Sequence, residues 1–164
     1  MSDVARVRTW AEVNDLALSL SWSEFGKVCQ CLLAIAFKSV GYSVSHFQFV
    51  GRPDFVAERL TDNFSVEAKS SLGRSVVIKR EDISGIRGLG HVPVLAILTY
   101  PDLSTRWLIV EATKLSARTY AKTELAAFSR QPIDGEISGA FCSVLPMYKR
   151  RAVEGASQLA GILR

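Results

Sequence analysis

Two periods of hydrophobic spacing organise the first two thirds of the chain. In "SWSEFGKVCQCLLAIAFKSVGYSV", Phe25, Val28, Cys29, Leu32, Ala36 and Val40 recur at helical intervals, and Gly41 offers a C-terminal stop. The apolar arc is broad, so this helix is expected to pack deep against a sheet. Ahead of it, "TWAEVNDLALSL" predicts a shorter helix, with Thr9 as N-cap and Glu12 at the capping-box position. The period then changes to two, and strands are predicted at about 42–50, 54–59 and 64–69. "KREDISGIRGLG" predicts a helix closed by glycine, and "VPVLAILTY" is a continuous apolar run of the kind found in a buried central strand. "RWLIVEA" follows the turn "PDLST" as a further strand. The order helix, three strands, helix, two strands (αβββαββ) predicts an α/β fold on a mixed sheet flanked by helices. The tail, 115–164, reads as a C-terminal extension: a helix near 116–128, a strand at "SGAFCSVL" and a terminal helix.

The third predicted strand carries the candidate chemistry. In "FSVEAK", Phe64, Val66 and Ala68 point one way, while Ser65, Glu67 and Lys69 point the other. Asp54 opens the neighbouring strand in "GRPDFVAE", so three charged groups converge at one sheet edge. That is either a surface ion pair or a metal site. As a metal site it would serve phosphodiester cleavage, which needs charge neutralisation on the phosphate and an activated water. Mg²⁺ supplies both and is held by one or two carboxylates with several retained waters. Asp54, Glu67 and the carbonyl of Ala68 would form the shell. Lys69 would orient the water, take up its proton with a lowered pKa, or stabilise developing charge.

Composition narrows the alternatives. The 164 residues, 48% apolar and 22% charged, suit one globular domain. No apolar run reaches a membrane-spanning length, and "MSDVARVRTW" has no apolar signal core, so a cytoplasmic protein without a membrane partner is expected. Three cysteines argue against a disulfide framework, with Cys29 and Cys31 pointing in different directions from one helix. His46 and His91 are too few for a histidine-based nuclease or zinc site and are expected to be structural. "GIRGLG" lacks the Gly-Lys-Ser/Thr ending of a phosphate loop. The net charge of +4 is a mild bias towards polyanions.

"GRPDFVAE…FSVEAKSS" resembles the PD-(D/E)XK nucleases of restriction-endonuclease-like fold, most closely archaeal Holliday-junction resolvases and Mrr-type restriction nucleases. The resemblance spans about 22–111, with the 13-residue step from Asp54 to Glu67 and the preceding amphipathic helix as its context. "PDLSTRWLIVEATK" repeats part of the motif but has Thr113 at the lysine position. The resemblance implies a metal-dependent DNA endonuclease using Mg²⁺, with Mn²⁺ able to substitute. It also implies that Gln30 stands where relatives place a helix glutamate, leaving Glu24 for capping or a surface contact. Arg52, Arg74, Lys79, Arg80 and Arg87 are the candidate contacts to double-stranded or branched DNA, weighed against a plain solvated helix face. A homodimer is expected because cutting two strands is simplest with two twofold-related sites. The segment 137–164 is its candidate interface, with Leu145, Met147 and Tyr148 exposed to a partner or packed on the chain's own core. Lys149, Arg150 and Arg151, placed near a helix start, are a further candidate DNA contact. A weakly cleaving or inactive binding module on the same fold, or an RNA-directed nuclease, remains the alternative.

Overall fold

Helices α1 (Asp3–Ser19) and α2 (Trp22–Ser39) lead the chain in the computed structural model, which describes residues 3–46, 52–60, 62–87 and 90–163. Ser21 caps α2 by accepting from the Glu24 N–H at 3.3 Å. At the other end Gly41 takes a φ of +92°, which glycine tolerates without strain. The Tyr42 N–H then reaches back to the Phe37 carbonyl and the Gly41 N–H to that of Lys38, a Schellman closure. The α1 start differs from expectation. Thr9 lies inside the helix and its hydroxyl donates to the Ala5 carbonyl at 2.8 Å, so it is not an N-cap. Glu12 serves no capping box either. It pairs with Lys149.

Strands β1 (Ser43–His46), β2 (Phe55–Arg59) and β3 (Asp62–Lys69) form an antiparallel meander. The chain leaves the sheet through β4 (Ser75–Ile78) and α3 (Arg80–Gly85), then returns as β5 (Val92–Leu98), parallel to β3. With antiparallel β6 (Trp107–Glu111) the order across the sheet is β1-β2-β3-β5-β6. The remainder of the predicted first strand, 47–50, lies outside the described residues, as do two positions of "GIRGLG".

Alternation along the central strands builds two cores. Phe64, Val66, Val94, Ala96, Leu98, Trp107 and Ile109 form one core with α2 and the C-terminal helix that carries Phe141, whose ring meets Trp107. Leu95, Ile97, Leu108 and Val110 face the opposite way, towards Ile83, Ile86, Val76 and Tyr120. Burial on both faces explains why "VPVLAIL" shows no polar alternation. Phe37 anchors the first core, its ring 5.2 Å from Tyr42 and 5.4 Å from Phe55.

The tail departs most from the sequence reading. The predicted helix near 116–128 is instead strand β7 (Arg118–Ala121) followed by the short helix α4 (Lys122–Leu125). β7 pairs with β4 as a separate two-stranded sheet that the sequence reading lacked. "SGAFCSVL" is not a strand but lies inside helix α5 (Gln131–Val153), which continues past Pro146 and is followed by α6 (Ser157–Leu163). Ile137, Phe141, Val144 and Leu145 are buried there in helical order. Leu145 is therefore core rather than exposed, Tyr148 packs partly against the core, and only Met147 of the three stands out, at 73% exposure. Lys149, Arg150 and Arg151 sit near the end of α5, not its start, and Lys149 is taken by Glu12 and Asp15.

Candidate active site

The site forms where β2 begins and β3 ends. The β2–β3 register pairs Phe55 with Val66, so one step further sets Asp54 opposite Glu67 and two steps set Pro53 opposite Ala68. The chain bends at Asp54 and the ladder stops. Proline has no N–H to give Ala68. Instead the Ala68 N–H donates to Asp54 Oδ2 at 2.7 Å. In an extended strand the N–H and C=O of one residue point to the same side, so the Ala68 carbonyl also faces the Asp54 side.

Glu67 and Lys69 emerge from the sheet face away from α2, and α3 covers them there. Lys69 Nζ lies 2.8 Å from Glu67 Oε1 and 2.8 Å from Asp82 Oδ1 of α3. Asp82 was not singled out from the sequence. Its other oxygen accepts the Lys79 N–H at 2.8 Å, so the carboxylate caps α3 and grips Lys69 at once. The only sequence signal is an acid three residues after the helix boundary in "KRED", which any helix start can carry.

Two carboxylates thus hold one ammonium, with the charge of Asp54 felt by the group, and the electrostatics follow. Burial, then the like charge of Asp54, pushes Glu67 up to about 7 despite Lys69. Burial also raises Asp54, opposed by the Ala68 N–H and by Lys69. Burial alone would lower Lys69, but Glu67 and Asp82 outweigh it and hold the ammonium above its ordinary value. With no metal bound, these two carboxylates hold Lys69 as an ammonium, while the lowering expected beside a metal ion concerns the loaded site.

This donor set suits a divalent cation. Excess negative charge in a half-buried cleft is relieved by one, and Asp54, Glu67 and the Ala68 carbonyl offer hard oxygen ligands only. Among the described residues no three His, Cys, Asp or Glu side chains converge into a ready-made cage. An ion held here would keep several waters, which is the habit of Mg²⁺.

α2 crosses the end of β3 on the other face. A Cβ at Gly26 would lie 3.7 Å from Ser70 Oγ, and the Cys29 thiol meets the same hydroxyl. Gln30 follows Gly26 by one turn on this side of the helix, on the flank away from Cys29. Glu24 is committed elsewhere. Its Oε1 accepts the Ala156 N–H at 2.6 Å, in the turn between α5 and α6. That turn needs Gly155, whose φ is +111° and whose Cβ would come within 2.8 Å of the Glu24 carboxylate.

A second residue missed from the sequence is Lys122, 2% exposed. Its ammonium donates to the Ser71 carbonyl at 2.7 Å and to the Tyr100 carbonyl, tying the segment after β3 to the turn between β5 and β6. Burial, partly opposed by Asp102, brings it down to about 8. Nothing local in "TYAKTEL" marks this lysine, because both of its partners are distant in the chain.

Of the predicted nucleic-acid contacts, Arg52, Arg74, Lys79, Arg80 and Arg87 are all exposed. None makes a side-chain ion pair among the described residues, whereas Arg59, Lys69, Lys114, Arg118 and Lys149 each do. Arg80 and Arg87 line an open cavity of about 470 Å³ between α3 and Leu115–Ala117. His91 bonds Glu58 at 3.0 Å, in keeping with a structural role, and the His46 side chain lies outside the described residues. In the partial repeat of the motif, Glu111 bonds Thr113 at 2.7 Å and no lysine joins it at that position.

A helix-flanked mixed sheet with a bent strand start facing an acid-x-Lys strand end is the restriction-endonuclease-like fold, as the resemblance to the PD-(D/E)XK nucleases led us to expect. Among solved structures the chain is similar to Hjc of Archaeoglobus fulgidus, a Holliday junction resolvase from an archaeal hyperthermophile. The TM-score is 0.51 at 12% identity, over 63% of this chain and 89% of that one. No family model and no curated protein sequence matches the chain. The described helices include none long and apolar enough to cross a membrane.

Proposed function

We propose that this chain is a divalent-metal-dependent endonuclease acting on duplex or branched DNA, of junction-resolving or restriction type. One observation carries the reading: Asp54 Oδ2 fixed on the Ala68 N–H, beside a Glu67 that shares its charged face with Lys69. In this reading Asp54, Glu67 and the Ala68 carbonyl hold Mg²⁺, with Mn²⁺ as a substitute. The ion supplies charge neutralisation on the scissile phosphate and an activated water. Lys69, kept as an ammonium, donates to the phosphoryl oxygens as negative charge builds on them. The exposed Arg52, Arg74, Lys79, Arg80 and Arg87 bind the phosphate backbone around the cleft. A twofold homodimer completes the reading, with the exposed Met147 side of α5 as its candidate contact.

The reading is tested by incubating the protein with supercoiled plasmid, linear duplex and four-way-junction DNA, in Mg²⁺, Mn²⁺ or EDTA. Cleavage with either metal and none in EDTA is expected, from a species that light scattering sizes as a dimer. Cleavage that persists in EDTA overturns the metal site. Tight binding without cleavage in any metal selects the alternative of a binding module.

Gln30 belongs to this proposal as the α2 residue that would contribute a neutral oxygen where a glutamate would add charge. Gln30→Ala is expected to raise the Mg²⁺ concentration needed for half-maximal cleavage by about 10-fold. Glu24→Ala leaves that value unchanged and lowers thermal stability by about 1 kcal/mol through loss of its bond to Ala156. An unchanged metal requirement in Gln30→Ala removes Gln30 from the site.

A further inference from the structure

Lys69 is held by two carboxylates, and the two are not equivalent. Glu67 also belongs to the proposed metal shell, so an ion held there would compete with the ammonium for its carboxylate. Asp82 has no such competing duty. It comes from another element, its Oδ2 is locked on the Lys79 N–H at 2.8 Å, and its Oδ1 stands 2.8 Å from Lys69 Nζ. Its side chain is 12% exposed, so water cannot readily replace it. We propose that Asp82 is the positioning residue that fixes the Lys69 ammonium once Glu67 turns to metal, and so links α3 to the reacting centre. The inference rests on the nuclease reading for its purpose, but the hold itself does not need that reading to be right.

Two properties of α3 give the link meaning. Ile83 and, just past the helix, Ile86 are buried under the sheet face that carries Glu67 and Lys69, while Arg80 and Arg87 line the open cavity between α3 and Leu115–Ala117. A polyanion seated on those arginines would therefore lie against the same six-residue helix that orients Lys69. Without Asp82, an ammonium on a flexible four-carbon stem would swing back to the nearest free carboxylate oxygen, competing with the metal for Glu67.

The test separates the hold from the activity. In ¹H–¹⁵N spectra selective for lysine side chains, a well-anchored ammonium gives a slowly exchanging signal. The Lys69 signal is expected to persist in Glu67→Gln, where Asp82 alone retains it, and to vanish in the Glu67→Gln/Asp82→Asn double variant. Loss of the signal in Glu67→Gln alone overturns the proposal. Asn at position 82 keeps an oxygen for the Lys79 N–H, so α3 stays capped and misfolding does not imitate the effect. In cleavage assays Asp82→Asn is expected to lower kcat about 10–100-fold with KM for DNA unchanged, and Asp82→Glu to recover part of it. Wild-type kcat in Asp82→Asn overturns the proposal as well. If the wild-type chain cleaves nothing in Mg²⁺ or Mn²⁺, the nuclease reading fails, and the ammonium signal alone decides what Asp82 holds.

Discussion

Asp54→Asn, Glu67→Gln and Lys69→Ala are each expected to reduce DNA cleavage by about 10²–10⁴-fold while leaving a folded protein. The three losses have different origins. Asparagine at 54 keeps an acceptor for the Ala68 N–H, so the bend before β2 survives and only the ligand charge is lost. Glutamine at 67 removes the carboxylate that would be shared between metal and lysine. Alanine at 69 leaves the metal shell intact and deletes the cation that answers charge on the phosphate. Metal binding measured by calorimetry therefore separates them: impaired in the first two variants, retained in the third. Double variants within the trio should lose little beyond the worst single one, because residues acting as a unit are not additive. Cleavage by Asp54→Asn at the wild-type rate would remove the bent strand start from the chemistry.

How much of this was legible in the sequence depended on whether the signal was local. α2, β3 and β5 each carry a long regular pattern, and their alternation or spacing is enforced by burial on known faces, so they were read correctly. Asp54 and Glu67 could be placed together because a hairpin register follows from the strands on either side of a short turn. β4 and β7 are four residues each and find one another across about 40 positions, a pairing with no local imprint. "SGAFCSVL" reads as a strand from its apolar content, but Phe141, Val144 and Leu145 are buried in helical order and the helix runs on past Pro146. Thr9 looked like a cap because threonine favours caps, but the same hydroxyl can bond back inside a helix. Asp82 and Lys122 escaped for one reason: each acts on a partner set by the fold, and a charged residue in a surface-like stretch gives no sign that it will be buried.

Metal-free protein is expected to lose stability as pH rises from about 5 to 8, and Mg²⁺ is expected to restore it only at the upper end. The cause is Glu67, raised from an ordinary 4.5 to about 7 by burial and by Asp54. Between those values the folded state holds a proton that the unfolded state has released, so each step up in pH favours unfolding. The stabilising share of the protonated carboxyl is complete below pH 4.5 and gone once pH passes 7. It amounts to about 2–3 kcal/mol, or a fall in Tm of roughly 5–10 °C for a chain of this size. Other groups titrate in the same range, so the measurement is a difference between wild type and Glu67→Gln, followed by thermal unfolding at pH 5 and pH 8. Glutamine cannot ionise, and its Tm should change much less over that interval. Millimolar Mg²⁺ binds the ionised site and not the protonated one, so its stabilisation of wild type should appear at pH 8, be absent at pH 5 and be lost in Glu67→Gln. Equal pH dependence in the two proteins would show that Glu67 does not carry this charge strain. A Mg²⁺ effect surviving in Glu67→Gln would place the ion somewhere other than between Asp54 and Glu67.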